Sequence, residues 1–378
     1  MCWHSVVPQK RKNRDGGQGL LTMTNEQAKQ APAATEAPGT VGQLAATSLH
    51  LTSSPHLRHP ETVTHIMVWV AVALIPSCIA SVVFFGPGAL FLTAVSVIAA
   101  VVTEWSVGKL MKRQSSIGDF SAVVTGMLVA FNVPPELPWW MVAIGSVFAI
   151  GVAKMAFGGL GGNFINPALA GRAFLMASYP SAMTRFTPTV FGSLSGIDAM
   201  SSATPLAHFK NAMANGSFQA LDFQEALTNL FTGNVGGCIG ETSAVALLIG
   251  GVLLLYKRII SLRIPLVYIG VVFLLSWLFN GTGSLLTSGA IIIPFYQILA
   301  GGLFLGAFFM ATDMVTSPIT PRGKLVFAAG CGLLTFVIRK FGGYPEGVSY
   351  SILIMNLFVP LIERYTRPKI YGEVRRRD

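Results

Sequence analysis

Ten apolar runs, most of them near the length of a bilayer crossing, make up about half of this 378-residue chain. Inside lipid a backbone has no water to bond to, so such runs must form helices or close into a barrel. The alternating apolar and polar pattern of barrel strands is missing, so the chain reads as an all-α polytopic membrane protein. Its charge content agrees: 11% of residues are charged, against about 25% in soluble domains.

The runs place crossings at 63–85, 88–110, 120–133, 138–157 and 165–180, then at 238–256, 264–280, 294–312, 324–340 and 347–362. The resulting organisation is a disordered basic tail at 1–52, a first membrane repeat at 53–180 and a loop at 181–237. A second repeat at 238–363 and a basic tail at 364–378 complete it. Two runs, 120–133 and 165–180, are short for a full crossing, and Gly126, Pro134, Pro135 and Pro167 lie in or beside them. Short, interrupted helices are expected around a buried site.

The two halves echo each other. Lys154-Met155-Ala156-Phe157-Gly158-Gly159 closes the fourth run as Arg339-Lys340-Phe341-Gly342-Gly343 closes the ninth. Gly126 to Asn132 in the third run resembles Gly306 to Asp313 in the eighth. Five crossings per half is an odd number, so the second repeat inserts inverted. Inverted repeats place functional sites where the two copies meet.

Lys and Arg placement sets the orientation. With both termini cytoplasmic, 21 of the 26 basic residues fall in inner segments, Lys154 among them. Outside remain Arg185, Lys210, Arg339 and Lys340, while Arg172 lies within a crossing. This bias puts the 181–237 loop, with Thr204, outside the cytoplasm. It also accounts for the +10 net charge as topogenic rather than nucleic-acid-binding.

The N-terminal region follows Lys10, Arg11, Lys12 and Arg14 with a Gly, Ala, Thr and Gln-rich stretch, a composition expected to be disordered. No apolar core adjoins those basic residues, so it is not read as a cleavable signal peptide. Met23 is an alternative start to Met1. Cys2, Cys78, Cys238 and Cys331 are scattered, so no local motif for an iron–sulfur cluster or zinc is expected.

Three groups of residues could carry chemistry. In Ser201-Ser202-Ala203-Thr204-Pro205-Leu206, Thr204 offers a hydroxyl in a loop beside the bundle; equally, Thr is a good helix N-cap and Pro a good first helical residue. In Gly158 to Pro167, four glycines permit close backbone approach to a flat ligand and Asn163 and Asn166 supply amides; a capped turn fits the same letters. Finally, Glu104, Asp119, Arg172, Asp313 and Glu363 lie in or at the edges of crossings, where unpaired charge is costly. Arg172 and Asp313 could pair across the repeat interface, or each could be a helix-end charge reaching water. The Trp139-Trp140 pair suits an interfacial anchor.

From about Ser53 to Gly372 the chain resembles the D subunits of Rnf (Rsx) complexes, membrane ferredoxin–NAD oxidoreductases related through this component to the sodium-pumping NADH–quinone oxidoreductase. The resemblance is carried by Pro134-Pro135 with Pro138-Trp139-Trp140-Met141, by Asn163-Phe164-Ile165-Asn166-Pro167-Ala168, and by Ser202-Ala203-Thr204-Pro205-Leu206. Phe341-Gly342-Gly343-Tyr344-Pro345-Glu346-Gly347 and Tyr365-Thr366-Arg367-Pro368-Lys369-Ile370-Tyr371-Gly372 continue it.

The resemblance implies FMN joined by a phosphodiester to Thr204 and installed by a flavin transferase; Ser202 stands where the family motif has glycine. It implies that Asn163 and Asn166 contact a second, non-covalent flavin (riboflavin or FMN), and that Asp119, Asp313 and Glu363 serve an ion path. It further implies a bacterial inner-membrane complex whose other subunits hold the iron–sulfur clusters and further flavin, working as a redox-driven sodium or proton pump. A cofactor-free secondary transporter with inverted repeats, or a structural scaffold, would use the same helical architecture without the Thr204 motif.

Overall fold

The computed structural model describes residues 62–112, 116–187, 189, 204–214, 223–241, 243–280, 288–342 and 347–368. The expected tail at 1–52 and the part of the 364–378 tail beyond 368 lie outside these residues, as do Ser201, Ser202 and Ala203. No strand occurs among the described residues, and all ten expected crossings have a helical counterpart.

The first half contains α1 (Val63–Phe85), α2 (Pro87–Leu110), α3 (Ser121–Phe131), α4 (Trp139–Phe148) and α5 (Pro167–Ser178), with α4 running on as a π-helix over Ala149–Met155. A short α6 (Pro180–Met183), α7 (Pro205–Ala214) and α8 (Phe223–Thr232) lie between the halves. The second half contains α9 (Ala244–Tyr256), α10 (Arg263–Asn280), α11 (Ser288–Leu299), α12 (Leu303–Leu305, continuing as a π-helix over Gly306–Met310), α13 (Pro321–Phe341) and α14 (Val348–Thr366). By length and apolarity together, α1 and α2 qualify singly as crossings; α11 and α12 form one bent by 66°. The others are shorter or carry charged ends.

Packing repeats between the halves. In the first, α2 lies against α3 and α4, and α4 against α5; in the second, α10 lies against α11 and α13, and α13 against α14. The halves meet through α1 on α9 and α5 on α14, the first helix of each against the first of the other and the fifth against the fifth. A two-fold relation between repeats produces this pairing of equivalents. Outward faces are apolar, with Ile75, Ile79 and Val83 on α1 and Phe91, Ile98 and Val102 on α2 exposed, as lipid-facing surfaces require.

Three features of the expected layout change. The sixth crossing begins at Ala244 rather than 238, because residues 238–241 enter as non-helical backbone. The Ile239 and Gly240 N–H groups donate to the carbonyls of Val133 (3.0 Å) and Phe131 (3.0 Å), and Ser77 Oγ donates to the Gly240 carbonyl (2.9 Å). Gly240 is required there, since a Cβ would collide with that of Phe131. The eighth crossing is broken at residues 300–302, where Gly301 takes φ 73°. Lastly, the loop is not simply polar: Leu206, Phe209 and Leu230 form a buried apolar cluster with Ile293, Tyr296 and Ala300 of the second half.

The contact between halves depends on Gly250, where a Cβ would collide with the Ala73 carbonyl oxygen and approach Phe309 Cζ to 2.9 Å. Gly250→Ala should lower the stability of the purified protein by about 1–3 kcal/mol through overpacking. Gly270→Ala, in open space on α10, should be neutral or slightly stabilising. Thermal unfolding in detergent checks both; equal effects would reject the close-packed α1–α9 seam.

Candidate functional site

Thr204 is the N-cap residue of α7. Its Oγ1 accepts a hydrogen bond from the Ala207 N–H (3.3 Å), Pro205 opens the helix, and the side chain is only 5% exposed. The N-cap reading of Thr-Pro is therefore correct, and it places the hydroxyl where helical N–H groups favour an anion. α7 is held by Phe209, stacked on Tyr296 at 5.2 Å, by the Tyr296 hydroxyl donating to the Pro205 carbonyl (2.9 Å), and by Lys210 donating to the Gly342 carbonyl.

Beside Thr204 is a cavity of ≈ 320 Å³ counted to its open mouth, walled by Leu206, Leu230, Glu241, Leu299 and Gly301. Its floor is the α11–α12 break. There Arg339, buried on α13, donates to the Gln297 carbonyl and, at 3.1 Å, to that of Ala300. Glu241, also buried, accepts from the Cys238 N–H at 3.2 Å and packs against Gly302. Sequence reasoning singled out neither role. The available signal was Arg339 breaking the charge rule on the outer side.

A second cleft, ≈ 780 Å³ to its open mouth, brings together Asn163, Asn166, Asp313 and Lys154, with apolar walls that include Phe308 and Phe309. The glycine turn reaches it through left-handed backbone at Gly159 and Gly161, φ 89° and 93°. Asn166 does two jobs. Its Oδ1 caps α5 by accepting from Ala168 N (3.0 Å) and Leu169 N (3.4 Å), and its Nδ2 donates to the Met310 carbonyl (3.3 Å) at the end of the π-helix. Asn163 Nδ2 donates to the Ile165 carbonyl (3.3 Å), while its buried Oδ1 has no protein partner among the described residues. Asn356, with its amide oriented to satisfy both ends, accepts from Asn166 N (3.1 Å) and donates to the Thr316 carbonyl (3.1 Å).

The acidic trio is not one cluster. Asp313 borders the cleft and accepts from Thr316 Oγ1 (2.9 Å) and Val315 N (3.4 Å). Glu363, on α14, accepts from Ile319 N (3.0 Å), tying down the loop after Asp313. Asp119 sits half-buried in a 3-10 turn before α3. Nor do Arg172 and Asp313 pair: Arg172 donates to Asn132 Oδ1 (2.9 Å) and Cys238 Sγ (3.8 Å). Arg172 does not reach water either, being 6% exposed.

Lys154 also departs from expectation. Counted among the topogenic charges at the end of the fourth crossing, it is instead buried on the π-helical continuation of α4, its Nζ donating to both Glu104 oxygens (2.9 Å each) and to Ser121 Oγ (2.8 Å). Ser116 Oγ donates to Glu104 as well. The π-turn brings the ammonium inward. The signal for it was Glu104, a carboxylate in an apolar crossing that requires a partner.

A profile of the NQR2, RnfD, RnfE family matches residues 50–372. The chain belongs to this family. It is 48% identical over 327 residues to the D component of the Na+-translocating ferredoxin:NAD+ oxidoreductase complex of Acetobacterium woodii, covering 86% of this chain and 96% of that protein. It is 47% identical over 323 residues to the proton-translocating counterpart of Clostridium ljungdahlii, covering 85% and 96%. The D component of the ion-translocating oxidoreductase complex of Salmonella typhi is 37% identical over 354 residues, covering 85% and 98%. Both cavities of this family member lie within the matched residues.

The Lys154–Glu104 pair is fully buried, so removing one partner strands the other. Lys154→Met should cost about 3–5 kcal/mol, whereas Lys154→Met with Glu104→Met should recover most of that loss. Thermal unfolding in detergent distinguishes them; a double variant as unstable as the single would rule out stranded charge as the cause.

Proposed function

We propose that this chain is the D-type membrane subunit of an ion-translocating ferredoxin:NAD oxidoreductase complex in a bacterial inner membrane. It carries FMN in phosphodiester linkage to Thr204, on the periplasmic side, with both termini cytoplasmic. Partner subunits provide iron–sulfur clusters and further flavin, and a flavin transferase installs the group. The observation that carries this reading is the placement of Thr204. Its hydroxyl caps α7 beside an open cavity, and the family of the chain includes subunits named for this reaction.

The residues present fit such a group. A phosphate ester on Thr204 would lie at the N-terminal N–H groups of α7, among them that of Ala207, which the free hydroxyl now accepts from. When bound, the isoalloxazine ring supplies one- and two-electron redox chemistry. The chain's own part is to anchor the phosphate, to hold α7 through Tyr296 and Phe209, and to keep the site's charged neighbours fixed.

The Asn163–Asn166 cleft fits a second, non-covalent flavin (riboflavin or FMN). The buried Oδ1 of Asn163 is an acceptor suited to an imide N–H, and the apolar walls suit a flat ring. Of the three acidic residues, Asp313 is best placed for an ion path, since it borders that cleft between the repeats. Asp119 and Glu363 would serve as flanking groups. Relatives of nearly equal identity are named for different ions, sodium in one and proton in the other. Similarity along the whole chain thus does not select the ion, and its choice rests on local ligands.

The test is in-gel fluorescence after denaturing electrophoresis, with the transferase co-expressed. Wild type should give a fluorescent band, Thr204→Ser should keep it, and Thr204→Val should lose it along with electron transfer while the complex still assembles. A dark wild-type band, with Thr204 unmodified by mass spectrometry, would instead favour a cofactor-free transporter.

A further inference from the structure

We propose that Arg339 sets the redox potential of the group on Thr204, by holding a buried positive charge one glycine away from the Thr204 cavity. This rests on the flavin assignment above. Arg339 extends from α13 to the α11–α12 break, where its guanidinium donates to the carbonyls of Gln297 and Ala300 and, at 3.4 Å, to Gln297 Oε1. Gly301 follows directly and lines the Thr204 cavity. A Cβ built on Gly301 would lie 3.3 Å from Arg339 Nη2 and 2.8 Å from Leu206 Cδ1, the residue after Thr204-Pro205. Gly301 thus separates the guanidinium from α7 by less than the width of a methyl group.

The position of this charge is fixed. Arg339 is 6% exposed, always protonated, and its fork matches the carbonyls freed by the broken helix. Reduction of a flavin adds negative charge, and a fixed, buried cation nearby stabilises the reduced form more than the oxidised one. Glu241 lines the same cavity with the opposite sign and lies against Gly302. The helix break therefore presents a cation beside Gly301 and a carboxylate beside Gly302, so that loss of one or of the other should move the potential in opposite directions. Arg339 is accordingly a tuning residue, acting through the field and not by contact with the reacting atoms.

The experiment is a spectroelectrochemical titration of the purified complex, with the Thr204→Val complex as the spectral background. Arg339→Gln should retain the fluorescent band and shift the midpoint of the Thr204-linked flavin to lower potential. At the wild-type midpoint the reduced-to-oxidised ratio should fall roughly tenfold, the order expected for the loss of one nearby unit charge at an effective dielectric of about 20. Arg339→Lys, which keeps the charge but not the fork, should stay near wild type. An unchanged midpoint in Arg339→Gln, or an equal fall in Arg339→Lys, would overturn the proposal.

Should Arg339→Gln fail to assemble, Gly301→Ala decides the matter by wedging a methyl between the guanidinium and α7. A lowered midpoint supports the inference and an unchanged one rejects it. A wild-type complex with no fluorescent band would sink the flavin assignment itself, a result separable from any midpoint measured on Thr204-linked flavin.

Discussion

A backbone carbonyl or N–H inside a bilayer has no water to bond to, and each one left without a partner costs several kcal/mol. Every interruption of a helix in this bundle must therefore be answered by another part of the protein. The end of α3 is answered by Ile239 and Gly240, the end of the π-helix by Asn166, and the α11–α12 break by Arg339. Two of these three answers cross from one repeat to the other. The same bonds that make the interruptions tolerable hold the two halves together.

This is why the crossings are legible in the sequence and the interruptions are not. Hydropathy averages over a window, and the three small residues Ala300-Gly301-Gly302 are submerged by the apolar helices that flank them. Pro294 lies inside α11, yet the chain turns sharply only at the glycines. The two short crossings, in contrast, are visible from their length, and they appear as α3 and α5. The π-turns at Ala149–Met155 and Gly306–Met310 leave no pattern in hydropathy. Sequence alone therefore reads Lys154 as a topogenic charge at the end of the fourth crossing, although it is buried against Glu104.

The candidate residues are legible to the same partial degree. Asn163, Asn166 and Asp313 are each marked by chemistry alone, and the fold gathers them around one cleft. Thr204 is marked by its motif, but the wall opposite it comes from residues 299, 301 and 241, which are distant in sequence and carry no motif. Position in space, set by the break, makes Glu241 and Arg339 neighbours of Thr204. Letters cannot report that until the chain's return path through residues 238–241 is known.

The broken crossing has a further consequence for any coupling between the two cavities. Leu299 and Gly301 at the break border the Thr204 cavity, while Phe308, Phe309 and Asp313 at and beyond the far end of α12 border the cleft. One short helical segment, Leu303–Met310, thus has an end at each. It is packed by Val348 and Ile352 of α14 at Gly306, where a Cβ would collide with Val348 Cγ1, and its last carbonyl is held by Asn166. The segment is thus held by a side chain at its C-terminal end and closely packed in its middle, which resists deformation within it. The backbone freedom at its other end lies in the glycine pair at 301–302, where Gly301 takes φ 73°.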